Sequence, residues 1–385
     1  MHKLYLASLI RPLFYGSAIV ASISPILYWM VGPLFAQMHK VFFYGIMFVM
    51  VVNLIRNRYI LKDNLILFLA FYSVLIITLG LILNDINRAT FAHFQPIFLP
   101  ILGISFGYLI AKVRPDILVA IYDGSYRLGL ILSPIIIIYF LLYQYSFITY
   151  FGASNLLFIP IFWALLEKKW LSLALFIVIL FFTGKRSATI AIFAAILLSS
   201  LRVISVKTLF LSLFVFLPIV LVTAINLFGD LSVLYGRYEL ILNALMDEEM
   251  DLAKLNLATS GRVNDFMGVV YSLNKDPFFW FFGKGIGALF DVETTAEVWT
   301  THYSHFTPIS YIFLGGWIMF LAVYGKLISL LIYCLKNMND YYSMFFVYYF
   351  ITSFIGGAIY FTDSFIWIFI GVIVYQKKWN RKAIC

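Results

Sequence analysis

Charged residues are scarce in this sequence, and their scarcity excludes a large class of proteins. They make up 12% of the 385 residues, whereas hydrophobic residues make up 63% and the mean hydropathy is +0.97. A soluble domain is about 25% charged and about 45–50% apolar. A chain of this length cannot hide so much apolar surface from water, so the composition excludes a soluble protein and predicts that lipid is its solvent.

Cysteines and metal-binding motifs are also scarce. The two cysteines, Cys334 and Cys385, fall in segments predicted to be cytoplasmic, so we expect no disulfide and no zinc site. The sequence lacks a P-loop and a His-Glu-x-x-His motif. It also lacks the basic and aromatic pattern of nucleic-acid readers. We therefore expect no metal, no cofactor and no nucleic-acid partner.

Long apolar runs, in contrast, are abundant, and about 20 such residues are needed to span a membrane. They predict an all-α polytopic membrane protein with about 12 transmembrane helices in a single domain, 1–385. Because Lys and Arg are enriched in cytoplasmic loops, their positions predict cytoplasmic N- and C-termini. The predicted spans are 13–31, 40–55, 64–83, 97–111, 117–143, 154–166, 170–183, 187–201, 208–227, 307–333, 341–361 and 364–376.

One long polar segment, residues 227–306, interrupts these runs and is predicted to be a large periplasmic loop. It holds 11 acidic and 5 basic residues, a net charge of −6, so the remainder must carry +15 to give the total of +9. The basic excess therefore reflects membrane topology. Helical spacing predicts a helix over 235–257 along the membrane surface. A second helix is predicted from the N-cap residue Ser260 to Asn274, with Pro277 stopping it.

Two adjacent cations lie on the predicted outer face. Lys185 and Arg186 stand in a Thr-Gly-Lys-Arg-Ser-Ala turn between two spans, against the cytoplasmic bias of basic residues. A cation held near lipid usually has a partner, and an anionic ligand such as a lipid pyrophosphate would supply one. The alternative is that both side chains extend to lipid headgroups.

Arg262 is a further candidate for anion binding. It falls in the first turn of the predicted helix, where a cation opposes the helix dipole. An anion bound at the same helix end removes that conflict, because free backbone N–H groups also point there. The alternative is an exposed arginine paired with Asp265 or Glu239. Arg237 is a weaker candidate of the same kind.

Two histidines close the polar segment directly before the span at 307–333. Histidine is the usual general base at neutral pH. His305 is the nearer to the membrane, where the reacting end of a lipid-borne substrate would lie, so it is the candidate base. His302 is an accessory candidate. The alternative for both is a capping or interfacial role.

A Gly-x-Gly-x-Gly pattern at 283–287 contains Lys284, a second accessory candidate. The pattern lacks the strand–turn–helix setting of a dinucleotide fold, so it predicts a flexible turn over the site. Asp85, Arg88 and His93 lie in a short predicted outer loop. They are candidates for sugar binding, although an ordinary solvated loop is the simpler interpretation.

The order of three motifs resembles the O-antigen polymerase and O-antigen ligase group of bacterial membrane glycan enzymes. Residues 183–188 are similar to the family's Gly-Ser-Arg-(Gly/Ser)-Ala turn. Residues 259–262, followed by Pro277 and the glycine pattern, are similar to its Ser-Gly-Arg segment and Gly-x-Gly-x-Gly turn. Residues 304–306, followed by Gly315 and Gly316, look like its His-Asn stretch. The resemblance covers about 170–325 by motif and the whole chain by topology.

This resemblance implies a GT-C-like membrane glycosyltransferase, in the broad sense, of the bacterial inner membrane. Its substrate would be oligosaccharide units on undecaprenyl pyrophosphate, and its partners the bilayer, a chain-length regulator and a flippase. The pyrophosphate would be held by Lys185, Arg186, Arg262 and Arg237. The catalytic residues would be His305, as base or acceptor-positioning residue, and Arg262, which would stabilise charge on the leaving group.

The resemblance leaves two activities open, with departures that favour one of them. Phe306 stands where ligases usually have Asn, and Leu314 stands where many have Glu. We therefore predict a polymerase of O-antigen or a related polysaccharide, with a ligase that transfers glycan to lipid A core as the alternative. A flippase is disfavoured because charges within the predicted spans are scarce. A non-catalytic scaffold has no use for outward arginines.

Overall fold

The computed structural model describes residues 3–31, 39–143, 154–182, 186–200, 262–293, 298–355 and 364–384. Within these ranges the chain is mainly helical, with one small antiparallel sheet. The helices are α1 (Ala7–Val31), α2 (His39–Arg56), α3 (Asn64–Leu83), α4 (Arg88–Val113), α5 (Pro115–Tyr143), α6 (Ser154–Leu166), α7 (Trp170–Phe182), α8 (Arg186–Ser200), α9 (Arg262–Leu273), α10 (Pro277–Phe282), α11 (Thr307–Lys336), α12 (Tyr341–Ile355) and α13 (Ser364–Ile384). The strands are β1 (Phe290–Glu293) and β2 (Val298–Thr301).

Three helices in the described ranges, α3, α4 and α11, are long and apolar enough to cross a membrane. Shorter apolar helical stretches lie at Ala7–Val20, Trp170–Leu180 and Ala188–Ser199. The chain is thus a predominantly helical membrane protein. Helices occupy the predicted spans that fall in the described residues, and the predicted span at 208–227 lies outside them. The count of 12 spans and the cytoplasmic termini remain predictions.

Helix α3 shows how the bundle meets lipid. Leu67, Phe71 and Val74, on one face, are 55%, 82% and 64% exposed, while Leu69 and Ile76 are buried in the bundle. A helix that is apolar on every side belongs in a membrane or a large core. Since the exposed face is as apolar as the buried one, α3 places one side against lipid and the other against protein.

Helices α4 and α13 make a close contact that anchors α4. A Cβ atom on Gly103 would lie 2.5 Å from the Cβ atom of Trp367, and one on Gly371 would overlap the Ile104 carbonyl. Small residues let membrane helices approach this closely. Helix α4 is therefore packed closely against α13 around Gly103 and Ile104, and its first turns reach the candidate site.

Helix α11 is kinked, whereas the sequence predicted one continuous span. Gly315 and Gly316 have non-helical backbone angles, and Gly316 has a φ of +67°. This left-handed conformation is readily accessible to glycine alone. The helix thus divides into 307–314 and 317–336, and the carbonyls freed at the kink need new partners. The Tyr72 hydroxyl donates to one of them, the Gly315 carbonyl, at 3.0 Å.

The glycine turn at 283–287 supplies the other partners. The backbone N–H groups of Lys284 and Gly285 donate to the Phe313 and Leu314 carbonyls at 2.8 and 3.1 Å. The three glycines have φ angles of +74°, +74° and +80°. The turn is mostly buried in the bundle, so the expectation of a flexible turn over the site is wrong. Its N–H groups bond the carbonyls freed at the kink, and these bonds hold segment 307–314 of α11 in place.

The described part of the polar segment contains both helix and sheet. Helix α9 forms where the second loop helix was predicted, and Pro277 begins α10 after the N-cap Asp276. The β1–β2 hairpin departs from the all-helical expectation. Phe290 and Val292 are buried against α9 and α11 while the alternate residues are exposed, the pattern of a half-buried strand. The predicted surface helix at 235–257 lies outside the described residues.

Candidate functional site

Asp265 and His305 form a hydrogen-bonded pair at the edge of the bundle. His305 Nδ1 lies 2.5 Å from Asp265 Oδ2, and the side chains are 46% and 7% exposed respectively. Because a carboxylate only accepts, Nδ1 must carry the hydrogen. The neutral imidazole then presents Nε2 as a proton acceptor. A histidine oriented in this way by a carboxylate is suited to act as a general base.

Helix α9 supplies the carboxylate and the neighbouring arginine. Arg262 is the first residue of α9 and Asp265 lies three residues later, so both occupy one face, a turn apart. The α9 helix is tied to β1, since the Asn264 side-chain amide donates to the Glu293 carbonyl at 2.5 Å. The predicted anion-binding arginine thus lies one turn from Asp265, the hydrogen-bond partner of the predicted base.

The segment that carries His305 is fixed by Ser304 and Ser310. The Ser304 backbone N–H donates to Ser310 Oγ at 2.9 Å, and that hydroxyl donates to the Ser304 carbonyl at 2.9 Å. The Phe306 N–H donates to Ser304 Oγ at 3.2 Å. These bonds lead the chain into α11 and leave the His305 side chain directed at Asp265.

Two aromatic side chains flank the pair. The Tyr303 ring centroid lies 5.6 Å from that of His305. Burial, and then the negative charge of Asp265, raise the Tyr303 pKa above its ordinary value, so its hydroxyl stays protonated at neutral pH. Phe306, the residue after His305, packs its ring against those of Phe266 and Phe354, with centroid distances of 5.8 and 6.1 Å.

His302 is directed into the protein. Its ring contacts those of His93 and Tyr303 at centroid distances of 5.6 and 5.0 Å. Burial, and then the positive charge of Arg88, lower the His302 pKa. His302 is therefore neutral at pH 7 and belongs to the packing beside the pair.

Lys284, in the glycine turn, contacts α9 nearer to the C-terminal end of that helix. Its Nζ donates to Ser272 Oγ at 3.0 Å and lies 5.0 Å from the centre of the Phe279 ring. Burial, and then the charge of Lys275, lower the Lys284 pKa. Ser272 is seven residues after Asp265, which is about 10 Å along a helix axis. The structure therefore places Lys284 two turns away from the histidine–aspartate pair.

The short outer loop predicted to hold Asp85, Arg88 and His93 is shorter than expected. Helix α4 starts at Arg88 because Asn87 and Thr90 form a capping box, a strong helix start. Arg88 is exposed at this helix end, whereas His93 is 1% exposed. The prediction that His93 lies in a surface loop as a candidate for sugar binding is therefore wrong.

Three predicted anion-binding residues fall at or beyond the limits of the described chain. Lys185 and Arg237 lie outside the described residues, and Arg186 is described only as the first residue of α8. Their role remains a prediction. Among the described residues there is no group of three or more His, Cys, Asp or Glu side chains that could hold a metal ion.

Sequence reasoning missed Asp265 and Tyr303 as members of the site. Asp265 was considered only as a pairing partner for Arg262. The available signal was its position three residues after Arg262, which puts both on one face of a helix. Nothing local indicates the contact with His305, which lies 40 residues away in the chain.

No protein-family model, curated protein or solved structure matches the chain in the comparisons we made.

Proposed function

We propose that this protein is a membrane glycosyltransferase that polymerises oligosaccharide repeat units carried on undecaprenyl pyrophosphate. The observation that carries the proposal is the pairing of His305 with Asp265 beside Arg262. Asp265 bonds the candidate base and lies one helical turn from the candidate phosphate ligand. That combination suits a reaction in which a hydroxyl attacks a sugar attached to a lipid pyrophosphate.

The chemistry assigned to each residue is direct. The acceptor hydroxyl oxygen bonds to the anomeric carbon of the donor sugar, and its proton passes to His305 Nε2. The bond from the anomeric carbon to the pyrophosphate oxygen breaks, and the pyrophosphate leaves with the electron pair. Arg262 stabilises the charge on the leaving group. Asp265 keeps the imidazole in the required tautomer and stabilises the imidazolium.

The setting of the site supports a lipid-borne substrate. His305 is two residues before α11, a helix able to cross a membrane. A polyprenyl chain in lipid would present its pyrophosphate at this level. We place the protein in the bacterial inner membrane with about 12 spans, cytoplasmic termini and the site on the periplasmic face. Lys185, Arg186 and Arg237 would add charge for the pyrophosphate, and a chain-length regulator and flippase would be partners.

A ligase that transfers glycan to lipid A core is the second candidate. It would use the same base and the same leaving group. The apolar packing of Phe306 against Phe266 and Phe354 favours the polymerase, since this position is usually Asn in the ligases that the motifs resemble. The two activities differ in the product that accumulates when the enzyme is lost.

The proposal is tested by replacing Arg262 in cells that make the polysaccharide. Arg262→Ala should abolish long chains and leave product with a single repeat unit, because the leaving group loses its stabilising cation. Arg262→Lys keeps the charge but loses the bidentate fork, so it should restore part of the chain length. Normal chain length with Arg262→Ala, at normal protein level, would contradict the proposal.

A further inference from the structure

His93 is the buried side chain that the proposed reaction leaves without a role. It lies in the second turn of α4, 1% exposed, and both ring nitrogens are bonded. Nδ1 lies 3.0 Å from the Gly287 backbone nitrogen, and Nε2 lies 2.9 Å from the His302 carbonyl oxygen. Because the Gly287 N–H can only donate and the carbonyl can only accept, His93 is the neutral tautomer with its hydrogen on Nε2.

The two partners of His93 are the two ends of one structural unit. Gly287 comes just before β1, and His302 comes directly after β2. One imidazole therefore closes the base of the β1–β2 hairpin and ties it to a membrane-spanning helix. The hairpin in turn packs closely on α9, where a Cβ atom on Gly268 would overlap the Asp291 carbonyl oxygen. Asp265 lies on α9, and His305 lies three residues after His302. The bonds of His93 therefore connect both halves of the site to α4.

The bond to His302 is the one that bears on the base. The His302–Phe306 segment is held at its start by His93 and at Ser304 by Ser310. His305 lies beyond these anchors and reaches Asp265 through its side chain. With the His302 carbonyl released, the segment would lose its hydrogen bond to α4 while Ser304 stayed bonded to Ser310, and the imidazole would be held less closely to the acceptor. A displacement of about 1 Å at a reacting group can lower a rate about a hundredfold.

We propose that His93 is a positioning residue for His305: by holding the His302 carbonyl it sets the general base against Asp265. This rests on the proposed function for its effect on rate, but the anchoring of the segment is independent of which reaction occurs. The two bonds can be separated by substitution, because an asparagine amide oxygen occupies about the position of Nδ1 and a glutamine amide nitrogen about that of Nε2.

Two variants of the full-length protein, His93→Asn and His93→Gln, test the proposal. His93→Asn keeps the acceptor for Gly287 and loses the bond to His302. We expect kcat for chain extension to fall at least about tenfold with KM for the lipid-linked donor unchanged. His93→Gln keeps the donor to His302 and leaves the buried Gly287 N–H unsatisfied. We expect near-normal kcat with a lower Tm. Each variant leaves one backbone group without its partner, so both should lower Tm, and only His93→Asn should also lower kcat.

The matched control is Asn84→Ala. Asn84 Nδ2 donates to the Lys284 and Ile286 carbonyls at 2.8 and 3.0 Å, so it anchors the same glycine turn without contact with His302. Asn84→Ala should lower Tm and leave kcat near normal. If kcat of the three variants simply follows their Tm, or if His93→Asn keeps the normal kcat, His93 has only a structural role and the proposal is overturned.

Hydrogen exchange separates this proposal from the proposed function. The Ser304 N–H donates to Ser310 Oγ in the first turn of α11, and the Phe306 N–H donates to Ser304 Oγ. In His93→Asn both N–H groups should exchange at least about tenfold faster, with no change in His93→Gln. Faster exchange in His93→Asn, in a protein with no polymerase activity, would contradict the proposed function and support the anchoring role of His93. Unchanged exchange in His93→Asn, in an active protein, would sink the anchor alone.

Discussion

Removing the charge of Asp265 should slow chain extension by about a hundredfold. In Asp265→Asn the side chain keeps its shape, but the imidazolium formed when His305 accepts a proton loses its counter-charge. Two unit charges 4 Å apart attract by about 4 kcal/mol near a protein surface and by about 1 kcal/mol in water. His305 is 46% exposed, so solvent screens the pair and we take about 1–2.5 kcal/mol.

That range corresponds to a rate loss of about 5-fold to about 70-fold. The asparagine amide can also donate to Nδ1 and favour the tautomer in which Nε2 carries the hydrogen and cannot act as a base. This second effect brings the expected loss to about a hundredfold, within the roughly 10²–10⁴-fold that a general base contributes. The assay is the initial rate of chain extension by purified protein in vesicles, with lipid-linked repeat units as substrate.

Asp291→Asn is the matched control for Asp265→Asn. Asp291 lies on β1, is exposed and accepts a hydrogen bond from Thr300 Oγ1 at 2.9 Å. Its replacement should leave the rate unchanged. In a His305→Ala background, Asp265→Asn should cause little further loss, because the carboxylate acts through the imidazole. An equal loss in both backgrounds, or a normal rate for Asp265→Asn alone, would refute the reasoning.

Three other predictions follow from the described contacts. His302→Ala should reduce the rate much less than His305→Ala in the same extension assay, because the side chain packs beside the pair and His93 binds its backbone carbonyl; equal losses would oppose this assignment. Burial raises the Asp340 pKa above its ordinary 3.8, so the protonated carboxyl favours the folded state. Wild-type Tm should therefore fall as pH rises from about 4 through the raised pKa, and Asp340→Asn should remove that part of the slope. Identical Tm–pH curves for the two proteins would contradict this prediction. Gly316→Ala should lower Tm, since a left-handed residue costs about 1–2 kcal/mol and the added Cβ would overlap the Phe281 carbonyl. Gly325 lies in the same helix with open space around it, so Gly325→Ala should leave Tm unchanged. Equal Tm losses in the two variants would count against the kink.

The apolar helices could be predicted well from the sequence, because length and composition alone identify such segments. The described part of α9, Arg262–Leu273, falls within the helix predicted over 260–274, whereas the predicted N-cap Ser260 lies outside the described residues. The kink at Gly315 and Gly316 could not be predicted in the same way, since the carbonyls it frees are satisfied by a turn about 30 residues earlier in the chain.

The candidate site was predicted only in part, for the same physical reason. Arg262 stood out because a cation in the first turn of a helix opposes the helix dipole. His305 stood out because a histidine close to the membrane is suited to act as a general base. Asp265 and His93 did not, because their roles depend on contacts across 40 and 209 residues. The hairpin was missed although Phe290 and Val292 alternate with acidic residues, a pattern typical of a half-buried strand.

The central claim is that His305 is the base of a polymerase, and polysaccharide length in cells tests it most directly. The gene is deleted, and wild-type or His305→Ala protein is supplied at equal level before the lipopolysaccharide is separated on a gel. We predict that the deletion and His305→Ala both leave a band of core with one repeat unit, while the wild-type protein restores the ladder. A normal ladder with His305→Ala would contradict the account, and long glycan retained on carrier lipid in the deletion would identify a ligase.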